Sequence, residues 1–499
     1  MLTGSSSIGS NLRDSTSYSS PSHPSKMAKS KVLLPYFVWV FILCLAGLTQ
    51  SEDTPQCSAS VPCEVGCCSK SGFCGLGPDY CSKSACVNNC DRKADCDPGG
   101  YGEDYVVCCS KYGFCGTTEK FCGTKKVNRP SCAIEESTRF KRVVGYYETW
   151  ATGRACNRFY PEQIPTGVYS HINLAFASIN PSTFELVPAA KADIDLYKRV
   201  ANLKAEDPHL KVLVAVGGSD FNDTGPTAAT FSDIARSEVA QEKFIDSVLK
   251  FMSTYDLDGI DLDWEYPAAK DRGGRNDDFA NFPKFMKTLK QALKEYEISI
   301  TLPAIYRYLQ HFDLKNIAPH VDFFNVMTYD FHGAWEKPTE SGGPYLNSHT
   351  NLTEIKGGLD LLWRNNIDHD KVVLGLAFYS RGFIASSSSC LSPGCPFESG
   401  TDALACSAEV GAALNSEIDD LATQQGAKPT LDKDAAVKIL TWGGNNWLTY
   451  DDEETLQLKA DFARSQCLGG VMVWAISQDT ENAKYSMAIS RVAPRLSSS

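Results

Sequence analysis

From Lys141 onward, short apolar runs alternate with longer stretches of helical periodicity. Nearly continuous apolar runs bounded by turn residues read as strands buried on both faces, and their alternation with helices is the pattern of a parallel α/β protein. The expected strands are Val143–Tyr147, His171–Phe176, Lys211–Val216, Gly259–Trp264, Ser299–Pro303, Phe323–Met327, Val372–Leu376 and Gly470–Trp474. Between Tyr379 and Trp447 the interval is too long for a simple loop, and it holds Cys390, Cys395 and Cys406.

One run departs from the apolar rule. In Asp258-Gly259-Ile260-Asp261-Leu262-Asp263-Trp264-Glu265 carboxylates occupy every second position, so Asp261, Asp263 and Glu265 share one face while Ile260, Leu262 and Trp264 take the other. Like charges roughly 6–7 Å apart along a strand cannot all ionise in a poorly solvated place, and at least one pKa must rise. A general acid at neutral pH is made this way. Asp258 has the wrong parity and precedes a glycine, which gives it a structural role. A calcium loop needs glycine at its sixth position and does not suit Leu262 and Trp264. An unpaired acid ladder kept only for structure would cost several kcal/mol per group, on the order of buried-charge penalties.

The octet, followed by Tyr266-Pro267, resembles the signature strand of the glycoside hydrolase family 18 chitinases. The similarity covers roughly Lys141 to Pro494, because other segments fall in family order: Val143-Val144-Gly145-Tyr146-Tyr147, Asn173-Leu174-Ala175-Phe176-Ala177, Val326-Met327-Thr328-Tyr329-Asp330, Tyr379-Ser380-Arg381-Gly382-Phe383 and Gly470-Val471-Met472-Val473-Trp474-Ala475. The resemblance implies an α/β (β/α)8 TIM barrel over residues 133–499, with an α+β insertion at about 383–447 between strands 7 and 8 as a wall of the cleft. It also implies substrate-assisted retention. Glu265 is then the acid, Asp263 the residue that orients the substrate acetamide, Asp261 its support, and Tyr329 the hydroxyl on the acetamido carbonyl. Tyr147, Phe176, Tyr266, Met327, Asp330, Arg381 and Trp474 match positions lining the substrate site. Three departures stand out. Ala215 replaces the usual Ser, Ser219 an aromatic often found there, and Tyr306-Arg307 a common Tyr-Trp pair, which implies weaker binding on the product side.

A formal charge of −12 and a pI near 5.3 argue against nucleic acid or an anionic membrane as partner. Chitin and chito-oligosaccharides, neutral ligands, suit this surface, and the mechanism requires no cofactor and no metal. Lys29 and Lys31 precede the apolar run Val32 to Leu48, which reads as a secretory signal within a leader over residues 1–50; Met27 is a second candidate start. Twenty cysteines agree with an oxidising, extracellular or cell-wall location, with no stable membrane insertion. Removing Cys44 with the leader leaves an odd number. Asn222-Asp223-Thr224 and Asn351-Leu352-Thr353 are glycosylation acceptors.

Residues 51–95 hold Cys57, Cys63, Cys67, Cys68, Cys74, Cys81, Cys86 and Cys90 in a segment too short for an apolar core. Cys67-Cys68-Ser69, Gly72-Phe73-Cys74-Gly75 and Tyr80-Cys81 resemble the hevein-type chitin-binding module. If its bridging carries over, Cys57 pairs with Cys68, Cys63 with Cys74, Cys67 with Cys81, and Cys86 with Cys90. Ser69, Phe73 and Tyr80 would hold sugar. A second, cysteine-deficient copy spans 96–132, with Cys132 counted among its six cysteines, and offers Ser110, Tyr112, Phe114 and Phe121. The whole reads as a secreted chitinase with its own binding modules. The alternatives are a chitin lectin without turnover and a killer-toxin-type subunit with an unknown partner.

Overall fold

The computed structural model describes residues 57–63, 66–92, 108–109, 115–116, 127–134, 139–336 and 343–496. The leader, and Ser110, Tyr112, Phe114 and Phe121 of the second repeat, lie outside these. Among the described residues no helix is long and apolar enough to cross a membrane.

Eight parallel strands close on themselves: β1 (Arg142–Glu148), β2 (His171–Ile179), β3 (Lys211–Gly217), β4 (Gly259–Asp263), β5 (Glu297–Pro303), β6 (Phe323–Met327), β7 (Val372–Ala377) and β8 (Gly470–Trp474). Each pairs with the next in sequence, and β8 pairs back to β1, so the sheet has no open edge in its barrel. This is a (β/α)8 barrel, with strands and helices alternating. Alternation along each strand sorts the side chains into two cores. Ile260, Leu262 and Trp264 pack outward into the layer between strands and helices, where Trp264 meets Phe231 and Phe282. Val144, Tyr146, Ala215, Phe323, Val373 and Met472 fill the barrel interior.

The interval after β7 is a six-stranded antiparallel sheet that opens with Tyr379–Ala385 and closes with Asn446–Tyr450; one helix, Asn415–Gln425, packs beside it. It is therefore wider at both ends than 383–447, because the arginine-bearing strand Tyr379–Ala385 is its central strand and pairs with Asn446–Tyr450. Two bridges belong to this wall: Cys390–Cys395 within it, and Cys156–Cys406, which ties it to the loop after β1.

In the front segment the bridges Cys57–Cys68, Cys63–Cys74, Cys67–Cys81 and Cys86–Cys90 are all present around a three-stranded sheet. The repeat is visible in register: Cys67 faces Gly75 and Cys68 faces Cys74, just as Cys108 faces Gly116 and Cys109 faces Cys115. Cys132 does not belong to the second copy. It is bridged to Cys467 and its N–H donates to the Ser465 carbonyl, which anchors this stretch to the end of the helix Glu453–Ser465, just before β8.

Candidate active site

The C-terminal ends of the strands open into a cleft of about 710 Å³. Its floor follows from strand parity. Asp261 and Asp263 point inward from β4, and Glu265, two residues on, lies on the same side at the mouth. Asp261 is fully buried and accepts from Tyr146 Oη at 2.5 Å, Ser299 Oγ at 2.6 Å and Asn325 Nδ2 at 3.0 Å. Ala215, its partner in register on β3, supplies no hydroxyl, but Ser299 on the opposite neighbour β5 does. Asp263 accepts from Thr301 Oγ1.

Burial sets the protonation of this column. It lifts Asp261, against the hydrogen bonds from Ser299, Tyr146 and Asn325. It lifts Asp263 further, with Glu265 beside it adding to the effect. Glu265 is pushed up to about 7 by burial, with the Arg272 guanidinium opposing. The Asp263–Glu265 pair therefore shares a proton near neutrality, and Glu265 is where an acid is available. Tyr329, buried among these carboxylates, keeps its proton, and among the described residues its hydroxyl reaches only the Met472 sulfur at 3.8 Å. A sulfur is a weak acceptor, which leaves this donor free for a ligand.

The backbone of Glu265 is held on both sides of its Cα. Its N–H donates to Asn222 Oδ1 at 2.9 Å, and its carbonyl accepts from Arg272 Nε at 3.2 Å. Close approach of β3 makes this possible: Gly217 lies at φ 108°, and a Cβ there would sit 2.2 Å from the Asp263 carbonyl oxygen. Asn222 is fully buried in that role, so it is not a glycosylation site in the folded protein. Asn351 caps the helix Leu352–Arg364 by accepting the Thr353 N–H at 2.9 Å.

Aromatic rings line one side of the cleft. Phe176 stacks against Trp474 with centroids 5.7 Å apart and against Trp150 at 6.1 Å, and Tyr146 leans on Trp474 at 5.3 Å. Tyr266 stacks on Tyr308 at 4.2 Å. Opposite, Arg381 forks onto Asp330 at 2.8 and 2.9 Å, reaches Glu409 at 2.6 Å, and lies over the Trp335 ring at 5.0 Å. That pairing holds the Asp330 carboxyl below the usual carboxylate range despite its burial.

Glu265, Asp263, Tyr329, Phe176, Tyr266, Met327, Asp330, Arg381 and Trp474 thus converge on the cleft, and Asp261 lies beneath it. Tyr147 does not. Its parity turns it outward, where it is fully buried and donates to the Phe159 carbonyl at 3.1 Å; the preceding Tyr146 is the inward residue. Sequence reasoning also missed the site roles of Asn222, Trp150, Arg272, Tyr308 and Trp335, all on the connections after strands, four of them in helices of three to five residues, whose placement no periodicity encodes. Arg307 pairs with Asp271 and packs on Tyr308, so an aromatic platform stands next to the position where Trp is missing. In the front segment Ser69 is buried and accepts the Phe73 N–H at 3.2 Å, and Phe73 and Tyr80 are half-buried.

The family model "Glycosyl hydrolases family 18" matches residues 142–479. The chain is 28% identical to "Secreted chitinase LysM12" of Penicillium expansum over 471 residues, which are 87% of this chain and 28% of that protein. It is 30% identical to "Killer toxin subunits alpha/beta" of Kluyveromyces lactis over 347 residues, 66% of this chain and 26% of that one. The chain spans 26% to 32% of the length of the first curated relatives it matches. Among solved structures, the Ostrinia furnacalis Group IV chitinase matches with a TM-score of 0.62 and 28% identity, over 70% of this chain and 99% of that one.

Proposed function

The chain belongs to glycosyl hydrolase family 18, and from that premise we propose that it is a secreted chitinase that hydrolyses the β-1,4 bonds between N-acetylglucosamine units with retention of configuration. One observation carries the reading. The cleft holds a single carboxyl poised near neutrality, Glu265, with Asp263 on its own segment, while Asp330 is taken up by Arg381. An enzyme that used a second carboxylate as nucleophile would need it free across the scissile bond.

In this reading Glu265 gives its proton to the glycosidic oxygen as the C1–O bond breaks. The substrate's acetamido oxygen attacks C1 and forms an oxazolinium ion. Asp263 accepts the acetamido N–H and holds it in line, with Thr301 orienting its other oxygen. Asp261, held by three donors, supports Asp263 from below. The free Tyr329 hydroxyl donates to the acetamido oxygen and steadies the developing charge. Glu265, now ionised, takes a proton from the incoming water, which needs a pKa near the working pH.

Trp474, Phe176 and Trp150 form an apolar floor for the sugar ring, and Tyr266 with Tyr308 a platform beside it. The front modules hold polymeric chitin through Phe73 and Tyr80, and through Tyr112, Phe114 and Phe121 in the second copy. The reading is tested by incubating wild type and Glu265→Gln with chitotetraose to chitohexaose and resolving the product anomers. Retained configuration and an inert variant are expected. Inverted first products, or equal cleavage of amide-free cellulose oligomers, would defeat it.

A further inference from the structure

Arg272 belongs to none of the recognised segments, yet it makes the densest set of contacts around the acid. Its Nε donates to the Glu265 carbonyl at 3.2 Å, and its Nη2 to the Ser219 carbonyl and Oγ at 3.1 and 3.0 Å. Its Nη1 meets Asp223 Oδ1 at 2.5 Å, and Nη2 lies 3.9 Å from the Glu265 carboxylate itself. The Arg272 side chain is only 19% exposed. One side chain thus joins the turn after β3 to the segment that carries Glu265. Ser219 and Asn222 begin and end the short helix that opens that connection, Asp223 follows it, and Asn222 accepts the Glu265 N–H.

We propose that Arg272 is a positioning residue that fixes the Glu265 segment against the turn after β3 and sets the pH range over which Glu265 works. The inference rests on Glu265 being the proton donor. The charged and titratable groups facing that carboxyl are Asp263 from β4, with Asp261 beneath it, Asp330 and Tyr329 from the end of β6, Asp223 from the connection after β3, and Tyr266 and Arg272 from its own segment. Arg272 is the cation among them. Burial and the acidic neighbours favour the neutral carboxyl; Arg272 alone of the charged groups favours the ionised one, the form that must collect a proton from water in the second half of the reaction. Ser219 accepts from this guanidinium through both its carbonyl and its hydroxyl.

The test uses two substitutions that break the same contact with opposite electrical sign. Arg272→Met removes the cation and should move the alkaline limb of the kcat/KM profile on chitotetraose upward by about one pH unit. Asp223→Asn removes an anion that raises the Glu265 pKa and should move the limb downward by about half a unit. Arg272→Lys keeps the charge but not the fork, so kcat should fall with the limb nearly in place. If the Met and Asn variants shift the limb in the same direction, or not at all, Arg272 is only a brace and the proposal is wrong. A 13C titration of the Glu265 carboxyl, identified by its absence in Glu265→Gln, reads the same opposed displacements without turnover. An enzyme inactive on chito-oligosaccharides would therefore overturn the functional reading and leave the role of Arg272 to be decided by that titration.

Discussion

Among the described residues of 57–92 the buried apolar side chains are half-cystines, Cys57, Cys63, Cys67, Cys68, Cys81 and Cys86, whereas the barrel buries valines, leucines, isoleucines and aromatics between its strands and helices and over much of its interior. The first region closes loops of 4 to 14 residues with covalent bonds; each bridge in such a segment contributes about 2–4 kcal/mol. The second relies on apolar burial, where removing one buried leucine costs about 2–5 kcal/mol. The two regions should therefore fail under different insults and lose different activities. In the function proposed above, the front end holds polymer and the barrel cuts it.

The sharpest cut falls on the barrel. Glu265→Gln should lower hydrolysis of chitohexaose by about 10³-fold or more while leaving retention on insoluble chitin unchanged. If retention falls in parallel, the cleft and not the front end holds the polymer, and the division is wrong. The converse insult is reduction. Mild thiol treatment with alkylation should lower retention on insoluble chitin by about tenfold, since a short segment without an apolar core unfolds when its bridges open. Turnover of soluble chitotetraose should keep more than half its rate. Loss of both together would mean that Cys156–Cys406 or Cys132–Cys467 is needed to hold the cleft, and Cys156→Ser and Cys132→Ser taken singly would tell which.

How far these regions could be read from residues alone follows the same line. All eight barrel strands were legible because burial on both faces forces long apolar runs, and the acid column because its period of two contradicts them. The bridges of the first module followed from a family likeness in spacing. Tyr147 was misplaced because a motif match fixes position only to within a residue, and in a strand one residue reverses the face. Trp150, Arg272, Tyr308 and Trp335 lie on turns that only the closed barrel brings to the mouth. Cys132 was misassigned because its partner, Cys467, is 335 residues away and sequence spacing sees only neighbours.

Smaller effects refine each half. Trp335 is half-exposed at the cleft and clamped by Arg381, the usual condition of a stacking platform. Trp335→Ala should raise KM for chitohexaose by roughly 5- to 150-fold with a smaller change in kcat, from a stacking contribution of about 1–3 kcal/mol. In the front end, alanine at Tyr112 and Phe114 should weaken chitin pull-down more than alanine at Phe73 and Tyr80, because the second copy carries one more aromatic. The reverse order would place the binding in the first copy.

The mildest perturbation separates the regions by pH. His332 is held between two carboxylates, Nδ1 to Glu336 at 3.0 Å and Nε2 to Glu354 at 3.0 Å, on the loop that presents Trp335. Burial works against its charge, but the hydrogen bonds its ring donates to Glu336 and Glu354 prevail and push it up to about 9, from an ordinary 6.5. A pKa raised on folding gives stability that is complete below about 6.5 and lost as pH rises through about 9. The thermal midpoint of the barrel should therefore fall by a few degrees between about pH 7 and about pH 10, and His332→Gln should flatten that slope. Bridges that do not titrate hold the front end, so chitin retention at low temperature should not follow the same curve. A parallel decline in both, unchanged in His332→Gln, would show that the alkaline weakness lies outside this loop and that the two regions are not independent.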